Sequence, residues 1–263
     1  MSYILESSDE TRRLLVQERT GNAREALLLT GLRQGERVLD AGCGPGGITE
    51  VIAQLVGPSG QVTGIDLSEE RLAQARQLNQ HHAHLRFLPG DVRRTGLPDQ
   101  TFDYTWSQFV LQHVPERWEA LGELIRVTRP GGKVVISEFD GFGLGNWPFP
   151  EDLREWCLRF TDALMRVAQI DVHVGRKVFH EMRRQGLSQV RVHVLPQFVI
   201  AGAADASHQK DWETRFSSME PAVAPLLGGL EDYRRMSQRY LELLADPDAL
   251  KYSILLVTEG TRP

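Results

Sequence analysis

Apolar positions along the first 140 residues fall in short blocks whose spacing switches between strand-like runs and a helical period. Residues 37–41 (RVLDA) predict a short strand, and beyond a glycine loop Ile48, Val51, Ile52 and Leu55 recur at i, i+3, i+4 and i+7. Residues 61–67 predict the next strand, Ser68 an N-cap, and Leu72, Ala75 and Leu78 the buried stripe of a second helix. Three more strands are predicted over 85–88, 102–110 and 133–139, with a helix after Pro115 that buries Trp118, Leu121, Leu124 and Ile125. Upstream, Ser8 caps a predicted helix carrying Leu14, Leu15 and Val16, and another runs over 22–31. Strands alternating with helices predict an α/β fold, a doubly wound and mostly parallel sheet with helices on both faces.

After Asp140 the rhythm changes. Residues 141–150 (GFGLGNWPFP) predict a loop and 151–168 an amphipathic helix, and another helix ends near Gly186. Strand-like residues 189–200, a mostly helical 205–244 and a final strand over 251–260 complete the chain. The expected organisation is an N-terminal helical segment (1–35), a core (36–140), and a helical cover plus the last two strands of the same sheet (141–263). The sheet then has seven strands, with the cover over its carboxyl edge, where open α/β sheets bind ligands.

Charge and composition narrow the partners. The 263 residues are 41% hydrophobic with a formal net charge of −5, unlike the basic surfaces that displace counterions from nucleic acid or anionic membranes. No apolar run approaches the ~18 residues of a membrane helix, and the acidic opening (residues 1–10) is unlike a secretory leader. Cys43 and Cys157 are too few for a disulfide framework. A cytoplasmic protein without membrane or nucleic-acid partners is expected.

Gly42-x-Gly44-x-x-Gly47 has the spacing of a dinucleotide fingerprint, with Asp66 where a ribose contact belongs. Two further carboxylates change that reading. Asp40, at the mouth of the loop, would repel a phosphate but suit a cationic group. Asp91, in Pro89-Gly90-Asp91-Val92, is placed to accept a hydrogen bond from an adenine amine. Three carboxylates without a neutralising lysine fit an adenosyl ligand that lacks phosphates.

With these residues the chain resembles the class I S-adenosylmethionine-dependent methyltransferases, in their small-molecule, natural-product and quinone-methylating branch. The motifs are 38–47 (VLDAGCGPGG), 64–68 (GIDLS), 90–92 (GDV), Phe102-Asp103 leading through Ser107-Gln108 to 111–114 (LQHV), and 126–133 (RVTRPGGK). The resemblance covers about residues 36–140 and implies a Rossmann-like sheet that binds S-adenosylmethionine and releases S-adenosylhomocysteine. It implies that Gly42, Gly44 and Gly46 let the backbone approach the methionine part, with Asp40 organising the loop. Asp66 would bind the ribose hydroxyls and Leu67 pack on the adenine; Asp91 and Val92 would read its edge. Ser107 and Gln108 would line the sulfonium side, and Tyr3 and Gln17, in the N-terminal segment, would close over the cofactor.

Methyl transfer from a sulfonium expels a neutral leaving group, so its barrier falls chiefly through alignment. Proximity and orientation contribute about 7–11 kcal/mol, against roughly 3–5 kcal/mol from a general base. Candidate bases are His113, after the fourth strand, and Glu138 and Asp140, at the end of the fifth. His173 and His180 are weaker candidates. Phe142, Trp147, Phe149, Trp156 and Phe160 are either an apolar acceptor pocket or core of the cover. The run His81-His82-Ala83-His84 invites a zinc reading, but its place between a helix and a strand predicts a solvated loop, and no metal is expected. The expected activity is methyl transfer to O, N or C of a small organic acceptor in specialised metabolism, by a monomer or homodimer. The alternatives are an NAD(P)-dependent oxidoreductase, and a protein that binds S-adenosylmethionine without methylating.

Overall fold

Alternation along the strands sends successive apolar side chains to opposite faces, and two different sets of helices cover them. The computed structural model describes residues 22–141 and 145–263; the helix predicted behind Ser8 lies outside them. In chain order the first elements are α1 (Ala23–Leu29), β1 (Arg37–Ala41), α2 (Gly47–Val56), β2 (Gln61–Asp66) and α3 (Glu69–Leu78). Next come β3 (Leu85–Pro89), β4 (Phe102–Gln108), α4 (Arg117–Val127), β5 (Thr128–Phe139) and β6 (Gly145–Trp147). Then follow α5 (Glu151–Val167), α6 (Gly175–Arg184), β7 (Ser188–Ala201), α7 (Ala206–Val223), α8 (Leu230–Ala245) and β8 (Leu250–Thr261).

On one face Val38, Tyr104, Trp106 and Val135 pack with Leu27 of α1 and Ile52 and Val56 of α2. On the other, Leu39, Ala41 and Ile136 meet Leu121 and Leu124 of α4 and Val178 and Met182 of α6. Ser68 caps α3 as predicted, its hydroxyl accepting from Arg71 N–H. Trp118 departs from expectation: it is 50% exposed, on the flank of a stripe formed by Ala120, Leu121, Leu124 and Val127.

The sheet runs β3-β2-β1-β4-β5 in parallel, then β8 antiparallel to β5 and β7 antiparallel to β8. Among the described residues it has eight strands rather than the expected seven. The eighth, β6, lies in the segment predicted as loop. Strand β8 continues past Leu255, the partner of Phe139 at the end of β5, and β6 pairs with the extension at Leu250–Tyr252. After β3 the chain crosses to the far side of β1, so the carboxyl ends of β1 and β4 flank a topological switch point.

The β7–β8 ribbon also carries the cover. Helices α5, α7 and α8 enclose their own aromatic core, in which Trp156 and Phe160 stack at 5.1 Å beside Phe216 and Tyr233. Trp156 and Phe160 are thus core residues, Phe149 packs against that core, Trp147 is 76% exposed, and Phe142 lies outside the described residues. At the opposite end of the sheet, Lys133 Nζ donates to Glu259 Oε2 and to the Thr30 carbonyl, both at 2.5 Å. His193 Nε2 lies 2.9 Å from Glu259 Oε1. Burial pushes the Glu259 carboxyl up, but Lys133 and His193 outweigh it and hold it below the ordinary range.

Gly64 of β2 sits where a Cβ would meet the Phe87 ring at 2.8 Å and Cys43 Sγ at 2.9 Å. Gly64→Ala should therefore destabilise the protein by about 1–3 kcal/mol through overpacking, seen as a lower midpoint in urea unfolding; an unchanged midpoint would contradict this packing.

Candidate active site

At the carboxyl end of β1, Asp40 is in register with Gly64 of β2 and Trp106 of β4. Its carboxylate is buried, and Oδ2 accepts from Thr49 Oγ1, in the first turn of α2, at 2.6 Å. Burial pushes this carboxyl up to about 7; the Thr49 hydroxyl opposes the shift and the nearby Asp66 carboxylate adds to it. Asp66 ends β2 and organises the loop. Its Oδ2 accepts from Gly44 N–H and its Oδ1 from Ser68 N–H, each at 2.9 Å. The N–H groups of Gly42 and Cys43 donate to the Ile65 carbonyl, and Gly46 N–H donates to that of Cys43.

The glycines serve this packing directly. Gly42, at φ +79°, faces Val110: a Cβ there would lie 2.3 Å from Val110 Cγ2. Gly46, at φ +87°, faces α3, with Ala75 Cβ and Asn79 Nδ2 each 2.9 Å from the equivalent position. The side-chain direction of Gly46 is therefore closed by helix packing, which by itself requires glycine here.

Beyond β4 the chain turns sharply. Phe109 adopts φ +57°, rare for a residue with a side chain, and residues 111–113 form one 3₁₀ turn. Glu138 Oε1 accepts from Val110 N–H at 2.9 Å and from Leu111 N–H at 2.7 Å, which satisfies the donors at the start of that turn. Burial pushes Glu138 up to about 8 against these backbone donors, so near neutrality it holds a proton. Asp140 accepts from Arg176 Nε at 2.7 Å, and His113 closes the turn. Glu138 is thus committed to the backbone and Asp140 to an arginine.

Several buried polar atoms in this region have no hydrogen-bond partner among the described residues: Trp106 Nε1, Ser107 Oγ, Gln108 Oε1, Ser137 Oγ and Glu138 Oε2. Strand alternation puts Trp106, Gln108 and Ser137 on the α2 face with Asp40, and Ser107 and Glu138 on the α4 face. Orphaned polar atoms this concentrated mark a place where a ligand or water completes the structure.

Known proteins resemble this chain chiefly over its parallel core. Residues 39–136 match the family described as a methyltransferase domain. A demethylmenaquinone methyltransferase of Staphylococcus aureus is 39% identical over 108 residues, 41% of this chain and 45% of that protein. An uncharacterised 37.1 kDa protein of a Streptomyces fradiae transposon is 38% identical over 145 residues, 55% of this chain and 42% of that protein. The matches thus span less than half the length of these curated relatives. A crystal structure of a SAM-dependent methyltransferase from Aquifex aeolicus superposes with a TM-score of 0.57 at 17% identity, covering 97% of this chain and 98% of the other; it shares the fold. Residues 39–136 thus carry a methyltransferase domain, in a fold shared with S-adenosylmethionine-dependent methyltransferases.

In this methyltransferase domain the expected binding residues among the described ones fall at four adjacent strand ends, those of β3, β2, β1 and β4. Leu67, just past β2, is 73% exposed, whereas Val92 is buried. Asp91 is held by Arg93, whose Nη2 donates to Oδ2 at 2.6 Å while Nη1 reaches Glu116 at 2.9 Å, so its carboxyl lies below the ordinary range. Tyr3 and Gln17 lie outside the described residues. Thr49, Arg93, Val110 and Ser137 were not legible as site residues. Thr49 alone carried a faint signal, as a hydroxyl in the helix turn that faces an acidic strand end.

Because the Asp40 carboxyl is raised, the folded protein holds a proton that the unfolded chain gives up, and stability falls as pH rises from about 4 to about 7. Asp40→Asn should therefore be more stable than the parent at pH 8, by at most about 4 kcal/mol, with the gap closing near pH 4. Urea unfolding at both pH values checks this; a gap independent of pH would contradict it.

Proposed function

We propose that this chain transfers the methyl group of S-adenosylmethionine to an oxygen, nitrogen or carbon of a small organic acceptor, leaving S-adenosylhomocysteine. The observation that carries the reading is the commitment of the glycine loop's donors. N–H groups of Gly42, Cys43, Gly44 and Gly46 already donate within the protein, and two buried carboxylates stand beside them. A diphosphate seeks free N–H groups at a helix N-terminus. This loop offers few and surrounds them with negative charge, which favours an adenosyl ligand with a cationic tail over a nicotinamide dinucleotide.

When bound, S-adenosylmethionine supplies an electrophilic methyl group on a positively charged sulfur. Asp66 keeps a second lone pair on each oxygen for the ribose hydroxyls, and the exposed Leu67 offers an apolar surface to the adenine. Asp91, steadied by Arg93, accepts from the adenine amine, with Val92 beside it. Asp40 faces the cationic end, and the orphaned Gln108 and Ser137 supply acceptors on the same face. Glu138 acts as a positioning residue: it holds the turn that presses Val110 on Gly42 and carries His113. Where the acceptor bears an acidic proton, His113 is the candidate to take it.

The acceptor is not transferable from the relatives. Residues 39–136 carry the family match, whereas the cover beyond them is the side that would select a substrate. Because α5, α7 and α8 form a closed aromatic core of their own, the cover suits a small acceptor in a biosynthetic step, enclosed from water during transfer.

Calorimetric titration of S-adenosylhomocysteine should show one site, which Asp66→Ala weakens by about 10- to 100-fold, the loss expected for hydrogen bonds to a charged group, with unchanged circular dichroism. NAD⁺ should give no heat. Tight NAD⁺ uptake, or equal affinity in the variant, would overturn the reading.

A further inference from the structure

The histidine run 81–84 was expected to be a solvated loop, yet the fold gives it a third partner. Glu50, on α2, places its Oε1 3.9 Å from His81 Nε2, and the ligand atoms of Glu50, His81 and His82 all lie within 4.8 Å of one another. The rings of His81 and His82 are 4.2 Å apart, and His82 Nε2 is shielded from solvent with no hydrogen-bond partner. The fourth member of the run, His84, is occupied elsewhere: its Nε2 lies 3.3 Å from the Ala53 carbonyl, and its ring stands edge-on to His82 at 5.5 Å.

The loop backbone is held as well. His82 N–H donates to the Asn79 carbonyl and Leu85 N–H to that of His82. Asn79 Nδ2 donates to the carbonyls of Gly46 at 3.2 Å and Ala75 at 3.0 Å. The loop is thereby docked along α2, and Glu50 N–H itself donates to the Gly46 carbonyl.

We propose that Glu50, His81 and His82 bind a divalent transition-metal ion of the zinc class. Two imidazole nitrogens and one carboxylate oxygen form a borderline donor set that suits zinc, nickel or copper, whereas magnesium and calcium prefer oxygen alone. Bonds of about 2.0–2.2 Å put tetrahedral ligand atoms roughly 3.5 Å apart, so the widest pair must close by at most about 1.3 Å. Rotation of the exposed His81 side chain and of Glu50 supplies that movement, and water takes the remaining position. The site is separate from the proposed transfer reaction but shares Gly46 with its glycine loop. Bound metal clamps the 79–84 loop to α2, and through Asn79 and Gly46 it stiffens the backbone leading from Gly44.

Calorimetric titration of zinc chloride into the full chain should show one site per chain, with no heat from magnesium chloride. His81→Ala, at an exposed position that leaves the fold intact by circular dichroism, should weaken zinc binding by about 10-fold or more. His82→Ala should do the same. With cobalt(II) as the probe, the visible spectrum should show nitrogen and oxygen ligation without a thiolate charge-transfer band. Absence of zinc binding at roughly 0.1 mM, where the free energy would be weaker than about 5.5 kcal/mol, would overturn the proposal. Undiminished binding in both histidine variants, or a thiolate band placing the ion on Cys43 or Cys157, would overturn it equally.

Discussion

A carboxylate removed from water must find donors, and the architecture of the candidate site follows from how two of them are satisfied. Asp66 receives backbone N–H groups from the two loops that follow β1 and β2, Gly44 of the glycine loop and Ser68 at the cap of α3. One side chain therefore fixes the distance between the loop after β1 and the helix after β2. Asp40 has a single hydroxyl donor and lies near Asp66, so its burial is only partly compensated. Such a residue is poised for a cationic partner, because an opposite charge relieves both the desolvation and the repulsion.

The opposite wall depends on another buried acid. Glu138 meets the first donors of the 3₁₀ turn after β4, and Phe109 accepts a left-handed backbone to make that turn possible. The result is a close contact between Val110 and Gly42 that only glycine permits. Loop and turn thus brace each other, and the polar ends of Trp106, Gln108 and Ser137 are left beside Asp40 without partners. Rigid walls around unsatisfied polar atoms are what a preorganised binding site requires, since the chain then meets the ordering cost before a ligand arrives.

The cover obeys a different rule. Its aromatic core is built from α5, α7 and α8, and the core sets on the two faces of the sheet involve other residues. The long β7–β8 ribbon joins these parts, and Lys251 is buried at its outer end, donating to the carbonyls of Gly202 and Asp246 at 2.7 Å each. The helices of this part can therefore vary without disturbing the strand ends of the parallel core.

The parallel core, the succession of strands and helices along it and the acids at the strand ends were legible in the sequence, because each depends on local periodicity or on a motif confined to a few neighbouring residues; the order of the strands across the sheet was not. Ser68 as a cap and Asp66 at the end of β2 needed nothing more. Strand β6 was hidden, since its three residues resemble a loop and acquire strand character only from the free edge of β8. The backbone duty of Glu138, the pairing of Asp91 with Arg93 and the approach of Glu50 to His81 and His82 were equally invisible. Composition and spacing determined which chemistry the chain can carry. Tertiary structure decided which side chains remain available for it, because burial and hydrogen bonding join residues that lie tens of positions apart.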